Sequence, residues 1–316
     1  MLLDIVLILV GLGLLLVAGD ALTKGAVNLA IRMGIPAIIV GLTVVAFGTS
    51  APEMLVSVDA VLSGAPGLAL GNVVGSNTAN ILLVLGAPAL ISAMTVERSV
   101  ARDFLTMIAA TVLFIAVAFF GPITTPHALI LLAGLGLMLA DNYRSARAHQ
   151  ALTTTDSLEG ADPGIAGTKI AFYLAVGVIG LPLGAQMLVG GATSIASALG
   201  VSDALIGLTL VAVGTSLPEL ATTVMAAIRR ESGIAIGNII GSNVFNLLAI
   251  IGIASLIGPI PVPDDIARID LWVMLGASLV LAPFIWLGWR ITRGWGVVLL
   301  LAYAGYVATL VMRGSA

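Results

Sequence analysis

Two glutamates have the most chemistry to explain. Glu53 and Glu219 each sit inside a long apolar run, 166 positions apart, in the matching contexts GTSAPE and GTSLPE. An ionised carboxylate at the centre of a bilayer costs at least about 2.5–3.5 kcal/mol unless something compensates it. No Lys or Arg of the sequence falls at a matching depth, so the remaining partners are a cation from solution or a proton. The surroundings suit a hard cation. Thr49, Ser50, Thr215 and Ser216 place hydroxyl oxygens one turn from the carboxylates. Pro52 and Pro218 each lack an N–H, which leaves the carbonyls of Gly48 and Gly214 without a helical partner. The nearby carbonyls of Ala46, Phe47, Ala212 and Val213 are expected to turn toward the same space. Non-helical backbone at that depth is tolerated only where it lines a cavity. Calcium takes six to eight oxygen ligands of these kinds. A pair of protonated glutamates merely joining two helices is the bland alternative, and it does not call for GTSxPE around both members.

A second pair of segments completes the oxygen inventory. In GNVVGSNTAN and GNIIGSNVFN, Ser76 and Asn80 are four residues apart, as are Ser242 and Asn246, so each pair shares one helical face. Asn72 and Asn238 extend the same stripes, while Asn77 and Asn243 point about 100° away and are expected to stitch helices together. Gly71, Gly75, Gly237 and Gly241 are expected to allow close helix packing. Asp59 has Met225 as its counterpart and Asp20 has Gln186, so both are read as peripheral, and Asp264 and Asp265 as a solvated turn beside Pro261 and Pro263.

The elements that carry these residues are membrane spans. The chain is 59% hydrophobic and only 9% charged, against about 25% charged in soluble domains. Ten apolar segments are readable, at about 3–22, 36–62, 67–92, 102–120, 125–142, 169–198, 203–228, 233–257, 269–289 and 294–312. Asp4 and the later Asp20 and Lys24 argue that the first is a span and not a cleaved signal. With the N-terminus outside, eleven of the thirteen basic residues fall in cytoplasmic segments, and only Arg268 and Arg313 fall outside. That bias places both termini outside and the polar linker 143–168 in the cytoplasm. Cysteine is absent, which excludes disulfides and thiolate metal sites. A net charge of −3 gives no reason to expect nucleic acid.

The two halves repeat. Residues 41–86 align without a gap on residues 207–252, with 22 identities in 46 positions that include Gly, Thr, Ser, Pro, Glu and Asn. Five spans separate the copies, an odd number, so the second copy crosses in the opposite direction. Inverted repeats of this kind put a transport site near the midplane, where they meet. The fold class is therefore an all-α integral membrane protein of ten helices, as two five-helix repeats over 1–142 and 169–316.

The two motifs, G-T-S-x-P-E and G-N-x-x-G-S-N, resemble the alpha repeats of the cation/calcium exchanger superfamily, with the prokaryotic sodium/calcium exchangers the most similar branch. The resemblance spans the ten-segment plan. It implies a calcium/sodium antiporter of the plasma membrane that works as a monomer, with the transported ions as cargo and no cofactor. By position, the implied ligands are Glu53, Glu219, the hydroxyls of Thr49, Ser50, Thr215, Ser216, Ser76 and Ser242, the carbonyls of Ala46 and Ala212, and Asn80. It also implies that the first and sixth helices slide past the others to alternate access. Asn246 stands where some relatives, including potassium-dependent ones, have aspartate, leaving two acids in the site. The competing reading is a proton/calcium exchanger. That branch resembles G-N-x-x-E, whereas Gly75 and Gly241 stand here. A cation channel and an intramembrane enzyme fit less well, for want of a pore axis and of a hydrolytic constellation.

Overall fold

The computed structural model describes residues 2–96, 100–150, 164–199 and 212–314. Arg98, residues 151–163 of the 143–168 linker and residues 200–211, which include the first five of the aligned segment 207–252, lie outside these. Apolar composition makes helices the only economical way to satisfy the backbone in lipid, and the described chain is almost entirely helical. The first long helix, α1, runs Leu2–Met33. A broken pair follows, α2 (Ala37–Thr49) and α3 (Ala51–Leu62), bent by 44°. Then come α4 (Pro66–Ile91), α5 (Ala101–Phe119) and α6 (Thr125–Gln150). The second half has α7 (Gly167–Ala198), α8 (Ala212–Thr215) and α9 (Leu217–Ile228). It closes with α10 (Ser232–Ile257), α11 (Ile266–Trp286) and α12 (Arg293–Gly314). The departure from an all-α chain is small: β1 (Met94–Thr95) pairs antiparallel with β2 (Arg290–Ile291) and ties the end of α4 to the start of α12.

Among the described residues seven helices are long and apolar enough to cross a membrane, and the α2–α3 pair makes an eighth if taken as one span. The other two expected spans correspond to α6 and to α9. The latter is a 12-residue apolar helix preceded by the short α8, and residues 200–211 before that lie outside the described residues.

Contacts tie together the ends of neighbouring helices. Arg102 at the start of α5 pairs with Asp141 late in α6. The α5–α6 connection bridges to the α10–α11 connection through Ile123 and Ile260. Arg313 at the end of α12 holds Asp270 at 2.7 Å, and Arg268 lies 3.6 Å from the exposed Asp264. The turn at Asp264 is thus the solvated one the sequence suggested.

The core of the bundle is α10, whose span is more deeply buried than any other. Its glycines are packed as expected. A Cβ at Gly237 would lie 2.6 Å from the Ile38 carbonyl, and one at Gly241 would lie 2.5 Å from that of Leu42. For Gly71 and Gly75 the same expectation is not met among the described residues. No described atom comes within 4 Å of an added Cβ, and the segment matching Ile38 and Leu42 falls within 200–211, outside them. At the periphery, α1 and α7 lie flat against each other. Gly11 and Gly184 each approach the other's carbonyl, at 2.7 and 3.0 Å from an ideal Cβ, a small-residue contact typical of membrane helices. Asp20 on α1 pairs with Lys24 at 2.8 Å and accepts a hydrogen bond from Arg229 Nε, just after α9, at 2.7 Å. Ion pairing explains why this acid is tolerated, in keeping with a peripheral role.

Candidate cation site

Both glutamates occupy the first turn of a helix that restarts after a break. Ser50 (φ −82°, ψ 7°) separates α2 from α3, and Ser216 (φ −83°, ψ 3°) separates α8 from α9. Proline follows two residues later in each, where its missing N–H costs nothing. Glu53 and Glu219 are therefore third in their helices, beside backbone N–H groups that have no intrahelical partner. Ser-x-x-Glu is the pattern of a capping box, yet neither serine hydroxyl caps its own helix. Ser50 Oγ instead donates to Glu219 Oε1 of the other half at 3.2 Å.

The site is buried and oxygen-rich. Glu53 is 1% exposed and Glu219 is fully buried. The two carboxylates are near enough to repel each other, and Thr215 is the side-chain hydrogen-bond partner of Glu53. Thr49 and Ser242 flank Glu219 and approach each other at 3.5 Å. The Thr49 hydroxyl also lies 3.1 Å from Asn238 Oδ1 and 3.3 Å from the Ala46 carbonyl. With one proton it serves one acceptor at a time.

The backbone oxygens are less free than the sequence suggested. The Ala46 carbonyl accepts from Ser50 N at 3.0 Å, and that of Val213 accepts from Ser216 N at 3.1 Å, because the turn around each serine closes locally.

Ser76, Asn80, Ser242 and Asn246 are all buried on the inward faces of α4 and α10. Both helices change to a wider π turn beside their asparagines, Asn80–Val84 in α4 and Phe245–Ile250 in α10, the kind of local deformation that recurs at functional sites. Seven buried side-chain polar atoms of the described residues lack any hydrogen-bond partner. Five belong to the expected ligands: Glu53 Oε2, Glu219 Oε2, Asn80 Oδ1, Asn246 Oδ1 and Ser216 Oγ. Buried polar groups are nearly always paired, so a concentration of lone acceptors is what a desolvated cation would satisfy. Among the described residues no cluster of three or more His, Cys, Asp or Glu exists.

Some positioning residues were not legible beforehand. Asn72 donates to Ser57 Oγ at 3.1 Å and Asn238 to Thr223 Oγ1 at 3.3 Å, locking α4 to α3 and α10 to α9. Positions 57 and 223 are related by the same offset of 166 and both carry a hydroxyl, the signal that would have found them. Asp59 is exposed near the far end of α3, away from this cluster.

Comparison with known proteins points the same way. The family model described as sodium/calcium exchanger protein matches residues 3–141 and 169–312. The chain is 34% identical to the sodium/calcium exchanger MaX1 of Methanosarcina acetivorans, covering 97% of this chain and 98% of that one. It is 38% identical to the inner membrane protein YrbG of Escherichia coli, over 90% of each. Its structure is similar to that of the sodium-calcium exchanger NCX_Mj soaked in 10 mM Na+ without Ca2+, with a TM-score of 0.84, 31% identity and coverage of 98% and 99%. The family and these exchangers are transporters and not enzymes, and their ions are cargo rather than cofactors.

Proposed function

The chain belongs to the sodium/calcium exchanger protein family, and from that premise we propose that it exchanges Ca2+ for Na+ at a midplane site built on Glu53 and Glu219. One observation carries the reading. Two buried carboxylates face each other with no Lys or Arg salt bridge among the described residues, each with an oxygen that nothing satisfies. A divalent cation or a pair of sodium ions supplies the missing charge. Thr49, Ser50, Ser76, Asn80, Thr215, Ser216, Ser242 and Asn246, with the carbonyls of Ala46 and Ala212, complete the coordination. Ca2+ and Na+ both favour such oxygens, so the two compete for one place, which is the minimal requirement of an exchanger.

The proposed architecture is ten spans in two inverted halves, 1–142 and 169–316, joined by the 143–168 linker. Paired hydrogen bonds support it. Asn72–Ser57 and Asn238–Thr223 are the same bond displaced by 166 residues, as are Asn80–Asn243 and Asn246–Asn77. Alternation follows from α1 and α7 sliding together past the remaining helices. The protein acts as a monomer in the plasma membrane.

Purified protein in proteoliposomes tests the coupling. An imposed sodium gradient is expected to drive uptake of radiolabelled Ca2+ at least tenfold above the rate without a gradient, with potassium unable to replace sodium. The site has no third acid, so a pH gradient alone is expected to drive none. Uptake that ignores sodium and follows the pH gradient would establish a proton exchanger instead.

Orientation is proposed from the distribution of basic residues, with both termini outside. The native chain has no cysteine, so single replacements report cleanly. A membrane-impermeant maleimide is expected to label Ser63→Cys, exposed between α3 and α4, only from outside. Thr292→Cys, between β2 and α12, is expected to react only from the cytoplasmic side. The reverse pattern overturns the orientation.

A further inference from the structure

We propose that Asn77 and Asn243 are positioning residues that fix the polarity of the amide ligands Asn80 and Asn246, so that a cation entering the site meets their oxygens and never their NH2 groups. The proposal rests on the placement of Asn80 and Asn246 in the cation site argued above.

The logic is a chain of donors and acceptors. Asn77 Nδ2 donates to the backbone carbonyl of Asn243 at 3.1 Å, and Asn243 Nδ2 donates to that of Asn77 at 3.4 Å. A backbone carbonyl can only accept, so each of these side chains must turn its NH2 toward the opposite helix. Its Oδ1 then points elsewhere, as an acceptor. Asn80 Nδ2 donates to Asn243 Oδ1 at 3.0 Å, and Asn246 Nδ2 donates to Asn77 Oδ1 at 3.0 Å. Each ligand amide therefore spends its NH2 on an anchor in the other half of the chain. What remains is Asn80 Oδ1 and Asn246 Oδ1, both buried and both without a partner. Flipping any one of the four amides sets oxygen against oxygen at one contact or more, so the bonding alone selects one arrangement.

Few residues other than asparagine can play the anchor. Aspartate at 77 would set a carboxylate against the Asn243 carbonyl, and alanine would release the Asn246 amide to rotate. Positions 77 and 246 are coupled for the same reason. Aspartate at 246 has no donor for Asn77 Oδ1, so it would force the Asn77 amide to turn and abandon the Asn243 carbonyl.

Kinetics separate positioning from mere packing. In proteoliposomes, Asn77→Ala and Asn243→Ala are each expected to raise the apparent KM for Ca2+ about tenfold, with kcat changed less than threefold. Asn77→Ala is expected to add little in an Asn246→Ala background, because it acts through that residue. Asn77→Ser, too short to bridge both partners, keeps a polar group in the knot should alanine prevent folding, and the same rise in KM is expected of it. An unchanged KM in the folded variants, or losses at 77 and 246 that simply add, overturns the proposal. Calorimetry of Ca2+ binding to the detergent-purified protein keeps the two readings apart. Wild type that binds no Ca2+ refutes the cation site itself. Wild type that binds, with the anchor variants binding equally well, refutes only the positioning role.

Discussion

Replacing either Glu53 or Glu219 with glutamine is expected to abolish sodium-driven Ca2+ transport, lowering the initial rate by at least about 100-fold. In the proposed site each carboxylate would supply half of the charge that balances one Ca2+, and both are buried away from bulk water. Removing one partner of a buried ionic interaction typically costs about 3–5 kcal/mol, roughly two to three and a half orders of magnitude in binding. The change is otherwise mild. Glutamine has nearly the same shape and keeps an oxygen able to accept from Ser50 where Glu219 now does at 3.2 Å. The helix start at Ser216–Leu217–Pro218 is untouched. Both variants should therefore insert, elute as wild type on gel filtration and keep their melting temperature within a few degrees, which isolates charge as the cause. Transport within twofold of wild type in either variant would refute the paired-carboxylate site.

A cross-link between α1 and the end of α9 is expected to stop transport almost completely. Asp20 and Arg229 face each other across the contact between the pair of helices taken to slide and the remaining bundle. In the cysteine-free chain, Asp20→Cys with Arg229→Cys, bridged by a short bifunctional methanethiosulfonate, should retain less than about one tenth of the initial rate. Reduction should restore it. A monofunctional reagent on the same two cysteines leaves the helices free to move and should preserve most of the activity. The ion pair itself is partly exposed and salt-screened, so its loss alone is a small effect, within about 1 kcal/mol. Full transport in a fully bridged sample would mean that α1 does not move relative to α9, and another pair of elements would have to carry alternation.

The features that the amino-acid sequence determined by itself are those set by composition and by repetition. A chain with 9% charged residues has no soluble fold to adopt, and a gapless 46-residue repeat with matching polar positions singles out Glu53, Glu219 and the serines and asparagines around them. The helix breaks were equally legible, since Pro52 and Pro218 have no N–H with which to continue a helix from the preceding turn. The two acids were recognisable because a carboxylate in an apolar run is costly wherever the run folds.

Tertiary structure decided what depends on distant partners. That Ser50 serves Glu219 and not its own helix, that the Ala46 carbonyl is already engaged, and that Asn72 and Asn238 lock helices are outcomes of specific approach. The polarity of Asn80 and Asn246 is the plainest case. An amide has a donor and an acceptor of almost equal size, and local pattern carries no preference between them. Only a carbonyl more than 160 residues away in the chain, brought within hydrogen-bond reach, determines which end is spent on a hydrogen bond and which is left free.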